Sequence, residues 1–368
     1  MTHSADVLRL AREEMGALPL YAPEAGQCAV DLSDNTNLWG APPAALRALR
    51  AVPVAALSRY PSLYSEPLRA ALLEYVCVDA MAGIGVVTGC GSDDVLDSTM
   101  RAFGAPGDAI AYSAPTFSMI PVLARLNALA PIAIPFAESF DIDAQRLVDC
   151  RAKITYLCSP NNPTATAISR AAVEYVVTNA HGIVLLDEAY AEFAPEVFTD
   201  LLAANERLVV ARTFSKAFGL AGLRVGYGVG ANGLVRLVER ARGPYKVNAL
   251  AERAVLAALE PSPDGLQWVR AHAELATTNR ARLIAAIHQL GLTALPSAAN
   301  FILVPTSRAR ELALALSSRG VLVRAFTSIP RDLGVFADSK GSALRIGVGP
   351  WEMMQTMLGT LREVLACV

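Results

Sequence analysis

The chain has 368 residues, 53% of them hydrophobic and 18% charged, with 32 Lys and Arg against 34 Asp and Glu and a net charge of -2. That length predicts two domains, or one large α/β unit with a smaller one appended, and the apolar content excludes wholesale disorder. The even charge balance, with no block of like charges, excludes a nucleic-acid binder working through a basic face.

The first 20 residues interrupt their apolar positions with Asp6, Arg9, Arg12, Glu13 and Glu14, so no signal-peptide core is expected. The most apolar stretch, 109–136, is broken by Pro115, Pro121, Arg125, Asn127 and Pro131, and no window of about 20 residues would cross a bilayer. A cytoplasmic protein is the expectation. Six cysteines (28, 77, 90, 150, 158 and 367) form no CxxC pair, and the histidines at 3, 181, 272 and 288 are scattered. Free thiols and no metal site are therefore expected.

In chain order, short apolar runs alternate with helix-length segments from about residue 80 to 245. Strands are predicted at 84–88, 108–112, 131–136, 153–158, 182–187, 208–213 and 225–229, with a helix opening at Gly91-Ser92-Asp93. Each run is rich in Val, Ile and Leu and closes on Gly, Pro, Asn, Asp or Ser, the pattern of a mostly parallel, doubly wound sheet. Residues 245–290 read as a helix pair broken at 260–265. Strands at 301–304, 321–324 and 344–348, a helix at 307–318 and a closing helix then predict a small α+β domain. The expected division is a large domain over 41–250 and a small one built from 1–40 and 251–368.

Ligands of an open α/β sheet bind at the carboxyl ends of its strands. The predicted strand ends present Gly91-Ser92-Asp93, Phe117, Asn161-Asn162-Pro163-Thr164, Asp187-Glu188-Ala189-Tyr190, Thr213-Phe214-Ser215-Lys216 and Arg224. A helix N-terminus with hydroxyls and an arginine suits a phosphate ester. The carboxylate, amide, phenol and aromatic suit a flat heteroaromatic ring with one basic nitrogen and one oxyanion, and the lysine suits an aldehyde. Together they describe pyridoxal 5′-phosphate held as a lysine Schiff base.

The segments CSPNNPT, LLDEAY, TFSKAFGLAGLRVGY and LRIGVG stand in one order across most of the chain. In these the sequence resembles the fold-type I pyridoxal-phosphate enzymes, in particular the histidinol-phosphate aminotransferase group. The resemblance implies a mostly parallel seven-stranded sheet sandwiched by helices, a smaller α+β domain, and ping-pong amino transfer from an amine donor to a 2-oxo acid. It makes Lys216 the point of cofactor attachment and the proton carrier, Asp187 the partner of the ring nitrogen, and Asn162 and Tyr190 the partners of the ring oxygen. Phe117 would stack on the ring. Ser92, Asp93, Thr213, Ser215 and Arg224 would hold the cofactor phosphate, and Tyr64 would reach the phosphate of a second subunit in a homodimer. On the substrate side it implies Asn35, Arg345 for a carboxylate, and Tyr21 with Arg324 for a distal phosphate.

Two departures stand out. Ala165 replaces the glycine usual after Asn162-Pro163-Thr164, which predicts a slightly different loop. The substrate segment reads Ser33-Asp34-Asn35-Thr36-Asn37-Leu38-Trp39-Gly40. Thr36, Leu38 and Trp39 there are expected to alter the substrate side, which leaves an aromatic aminotransferase open beside histidinol phosphate. A related lyase, such as a threonine-phosphate decarboxylase, would share nearly all these motifs. A non-catalytic sensing module is disfavoured by the intact Lys216. A nicotinamide-dependent reductase would need a third glycine that 89–94 lacks.

Overall fold

The computed structural model describes residues 10–18, 28–76, 83–137 and 139–366. Its strands are β1 (Val30–Asp31), β2 (Ile84–Gly89), β3 (Ala109–Ala114), β4 (Ala130–Pro135), β5 (Ile154–Cys158), β6 (Ile183–Asp187), β7 (Leu208–Thr213), β8 (Gly226–Ala231), β9 (Phe301–Pro305), β10 (Val321–Leu322), β11 (Arg324–Phe326) and β12 (Ala343–Gly347).

Seven of these form one sheet in the order β2-β8-β7-β6-β5-β3-β4. Neighbours from β7 through β4 run parallel, and β8 is antiparallel to both β2 and β7. The sheet is buried on both faces, which is why its strands read as continuous apolar runs. On one face Val184, Leu186, Val210 and Val229 pack with Leu68 and Leu72 of the helix Glu66–Tyr75 and Ala251 and Val255 of the helix Ala249–Leu259. On the other, Val87, Ile110, Leu185 and Val209 pack with Leu96 and Met100 of the helix Ser92–Phe103 and Val235 and Val238 of the helix Asn232–Ala241.

The strand order reverses between β5 and β3, which opens a crevice at their carboxyl ends. Because β8 is antiparallel, its first residue, Gly226, lies at that same rim, paired with both Gly89 and Thr213.

A three-stranded antiparallel sheet, β11-β12-β9, and the parallel pair β1-β10 lie beyond it. Ile302, Val304, Leu344 and Ile346 pack there with Leu312, Leu316, Met357 and Leu361. The helix Leu266–Gln289, about 36 Å long at 1.5 Å per residue, joins the two regions. It buries Leu266 and Val269 in the first core and Leu283 and Ile287 in the second.

The single strand predicted at 321–324 is two. Val321 and Leu322 pair with Val30 and Asp31, whereas Arg324 to Phe326 pair with β12. Val323 is the residue where the chain changes partners, and both halves are too short for periodicity to separate them. Among the described residues, no helix is long and apolar enough to cross a membrane.

Gly226 shows how tightly the rim is packed. A Cβ there would overlap the backbone nitrogen of Ser92 and the carbonyl carbon of Gly91, neither of which can rotate away. Gly226→Ala is expected to destabilise the protein by about 2 kcal/mol, the usual cost of overpacking, read as a lowered denaturant midpoint. A change below about 0.5 kcal/mol, the scale of a neutral surface substitution, would contradict this packing.

Candidate active site

The crevice is a cavity of about 580 Å³. Asn35, Ser92, Asp93, Phe117, Asn162, Asp187, Tyr190, Thr213, Ser215, Lys216, Arg224, Arg324 and Arg345, all expected site residues, line it. Tyr21 lies outside the described residues. Tyr64, 49% exposed, does not line the cavity of its own chain.

At one end of the cavity the helix Ser92–Phe103 points its N-terminus inward, capped by Gly91 at φ +81°. The φ of Gly91 favours glycine there, and a Cβ would also displace the Arg224 guanidinium. Arg224, itself left-handed at φ +54°, reaches the Ser215 hydroxyl at 3.4 Å and the Asp93 carboxylate at 3.3 Å. The Thr213 hydroxyl donates to that of Ser215 (3.0 Å) and accepts from the Ser215 N–H (3.2 Å). Free helix N–H groups, two hydroxyls and a guanidinium form an anion site of phosphate size.

Asp187 ends β6 and is 4% exposed. One oxygen accepts the Tyr156 hydroxyl at 2.8 Å and the other the Ala189 N–H at 3.0 Å. It has no ion pair among the described residues. Burial raises its pKa to about 6 against the pull of those two donors. Such a carboxylate is suited to a cationic ring nitrogen entering from the cavity.

Lys216 stands at the cavity floor with Nζ 3.3 Å from the Asp34 carbonyl oxygen and 5.8 Å from the Tyr190 ring centre. Burial among protein atoms, followed by the Arg345 charge, lowers its pKa to about 8. Tyr190 accepts from Asn35 Nδ2 at 3.1 Å, and burial pushes its phenol upward.

Opposite these, the small sheet places Arg324 and Arg345 directly across from each other on β11 and β12. Arg345 donates to Asn162 Oδ1 (2.9 Å) and to the Ser33 carbonyl, with its guanidinium near the Phe301 and Phe326 rings. With Asn162 Oδ1 so engaged, its amide N–H groups remain to serve a ring oxygen. The donor set therefore fits a phosphorylated pyridine aldehyde: an anion site at one end, a buried carboxylate, donors for a ring oxygen, and an amine of lowered pKa.

At the first sequence departure, Ala165 adopts φ +65°, the region glycine occupies without strain, and buries its methyl group completely. For an L-residue that conformation costs about 1–2 kcal/mol. In the 33–40 segment, Thr36 lines the cavity, but Leu38 and Trp39 do not. Leu38 packs beneath Gly349 and Trp39 meets the His272 ring edge-on at 6.0 Å. The expectation that all three changes bear on the substrate is thus corrected: two of them face neighbouring structure.

Sequence reasoning missed Tyr156, which holds Asp187 from within an apolar strand. Its position two residues before Cys158, and so on the same strand face, was the available signal. It also missed Thr116, whose hydroxyl donates to Asn161 Oδ1 at 2.7 Å and ties the loops after β3 and β5 together.

A family model described as "Aminotransferase class I and II" matches residues 29–361. A histidinol-phosphate aminotransferase of Roseiflexus castenholzii is 36% identical to the chain, the alignment covering 98% of this chain and 99% of that protein. One from Methylibium petroleiphilum is 33% identical over 97% of this chain and 95% of its own length. Among solved structures, the histidinol-phosphate aminotransferase of Sinorhizobium meliloti in complex with pyridoxal-5′-phosphate superposes with a TM-score of 0.84 at 23% identity, covering 96% of this chain and 97% of that one.

The lowered lysine pKa has a direct consequence. In cofactor-free protein, the Lys216 amine is expected to react with trinitrobenzenesulfonate with a pH midpoint near 8, the deprotonated fraction rising through that value. A midpoint near 10.5, the ordinary lysine value, would contradict the burial described.

Proposed function

The chain belongs to the class I and II aminotransferase family, and from that premise we propose that it is a pyridoxal-phosphate-dependent histidinol-phosphate aminotransferase. It moves the amino group of L-histidinol phosphate to 2-oxoglutarate in two half-reactions, giving imidazole acetol phosphate and L-glutamate. The observation that carries this reading is the cross-strand pair Arg324 and Arg345 in the same cavity as Lys216 and Asp187. Two arginines on paired strand positions lining one cavity suit substrates that present a carboxylate in one half-reaction and a phosphate in the other. The relatives bearing this name support it, and the outward packing of Leu38 and Trp39 removes the main ground for redirected specificity.

When bound, pyridoxal phosphate supplies an aldehyde that takes up the amino group and a ring that stores an electron pair. The chain's own residues do the rest. The N-terminus of the helix Ser92–Phe103, with Thr213, Ser215 and Arg224, fixes the phosphate and so the ring's position. Asp187, made costly to ionise alone by burial, would regain its charge beside a cationic ring nitrogen and so hold a proton there. Tyr190, steadied by Asn35, and Asn162 donate to the ring oxygen. Phe117, which lines the same cavity, would stack on the ring. Lys216, neutral above about pH 8, would take the proton from the substrate Cα and deliver it to the carbon that carried the cofactor's aldehyde, on the other side of the amino nitrogen.

We further propose a homodimer. Val54, Leu57, Tyr60 and Tyr64 are 80%, 63%, 83% and 49% exposed in one short segment, and Tyr60 stacks on Tyr245 at 4.8 Å. An apolar strip of this kind is suited to a second copy of the chain, which would bring Tyr64 towards the neighbouring phosphate site. The free thiols of Cys28, Cys90, Cys150 and Cys158 suit a reducing compartment and so the cytoplasm.

A single-turnover spectrum of the cofactor-loaded protein tests the substrate. L-Histidinol phosphate is expected to bleach the yellow absorbance rapidly at micromolar levels, and L-glutamate to do so only at higher concentration. Bleaching by L-phenylalanine alone would favour an aromatic aminotransferase, and release of CO2 a lyase. Arg324→Ala is expected to raise KM for histidinol phosphate by about 10- to 100-fold, the scale of a lost charged hydrogen bond, while leaving glutamate less affected. Lys216→Ala is expected to lower turnover by more than about 10³-fold, towards the upper range for a proton-transfer group. Full activity in that variant would refute the assignment.

A further inference from the structure

The residues that follow Asp187 and precede Thr213 carry a second ionic arrangement, on the face of the sheet turned away from the cavity. Glu188 is 1% and Arg212 6% exposed. Arg212 Nε donates to Glu188 Oε2 at 2.8 Å, and its terminal nitrogen stands 2.7 Å from the same oxygen. Glu188 Oε1 accepts the backbone N–H of Phe198 at 2.7 Å. The Glu188 backbone joins in as well: its N–H donates to the Ala211 carbonyl (2.8 Å), and its carbonyl accepts from Ala191 (3.0 Å). Side chain and main chain of Glu188 thus tie the turn bearing Tyr190 to the end of β7, four residues before Lys216.

A buried ion pair is a weak source of stability, since well-packed apolar residues of the same volume commonly do as well. What it supplies that an apolar pair does not is direction: the planar guanidinium meets one carboxylate oxygen through Nε while the other oxygen is held by the Phe198 N–H. Phe214 and Phe218 add to this by flanking Lys216 and packing on each other at 4.5 Å, with Phe214 also against Tyr227, the residue opposite Arg212 on β8.

We propose that Glu188 and Arg212 are positioning residues, which set the placement of Asp187 relative to Thr213 and Lys216 across the β6–β7 rim. They touch neither substrate nor cofactor. They act by holding the ring-nitrogen partner and the reacting amine in a fixed relation. This rests on the reading of the cavity as a pyridoxal-phosphate site.

The double variant Glu188→Leu/Arg212→Met removes both charges while keeping apolar volume. It is expected to melt close to the wild-type temperature. Its cofactor-free form is expected to bind pyridoxine 5′-phosphate, which has ring and phosphate but no aldehyde, about tenfold more weakly by calorimetry. In the loaded enzyme kcat is expected to fall about tenfold or more with KM for glutamate little changed, in keeping with the cost of a small misplacement. Arg212→Lys keeps the charge but loses the fork, and is expected to show the same losses to a smaller degree. Folded variants with wild-type affinity for pyridoxine 5′-phosphate and wild-type kcat would overturn the proposal. Loss of folding in both variants would also overturn it, by assigning the pair to stability alone. Wild-type protein that does not bind pyridoxine 5′-phosphate would instead overturn the reading of the cavity on which the proposal rests.

Discussion

Asp187 is a carboxylate buried at the end of a central strand with two neutral donors and, among the described residues, no ion pair, and Lys216 is an amine whose own charge burial opposes. Each would be cheaper in water, and pairing them directly would remove the difficulty. The structure instead gives each its own neutral partners and lets both line one cavity, where a ligand that is cationic at one atom and electrophilic at another relieves both. Desolvation without a direct partner, which weakens a protein as a folding unit, makes the site selective for that ligand chemistry.

Holding such groups apart demands backbone that cannot relax. Three non-glycine residues with left-handed dihedrals stand at or beside the cavity: Asn35, Ala165 and Arg224. Each is fixed by neighbours. Asn300 Nδ2 donates to the Asn35 carbonyl at 3.0 Å, the Ala165 N–H donates to the Asn161 carbonyl at 2.7 Å, and Arg224 reaches Ser215. Strain of this kind persists where the surroundings over-determine it. Here the surroundings come from both sheets, which is why the small sheet is part of the site rather than an appendage. Asn35 lies just beyond β1, Arg345 is on β12, and both meet large-sheet residues, Tyr190 and Asn162.

The large sheet was legible because parallel strands buried on both faces must be written as uninterrupted apolar runs, and the residue ending each run is left at the ligand rim. Asp187, Thr213 and Lys216 were found that way, without any knowledge of their neighbours. Tyr156 was not, since a tyrosine inside an apolar run reads as core, and only the adjacent strand turns its hydroxyl into a partner for Asp187. Val321–Arg324 read as one strand because pairing partners are distant in sequence and leave no local mark. Leu38 and Trp39 were assigned to the substrate by their place in a motif, whereas Gly349 and His272 claim them.

The sequence by itself determined the alternation of strands and helices, the residue types delivered to the strand ends and, through their order, the family. These are properties of neighbours along the chain, set by burial period and by the chemistry of single side chains. Tertiary structure alone decided which of those side chains meet. It set Arg324 beside Arg345, placed Asn35 on Tyr190, locked Glu188 to Arg212 behind the rim and turned Leu38 and Trp39 out of the cavity. The physical reason is that pKa values, hydrogen bonds and ion pairs depend on separations of a few ångströms between residues far apart in the chain, 312 positions in the contact of Arg345 with Ser33. No local pattern in the chain encodes those separations.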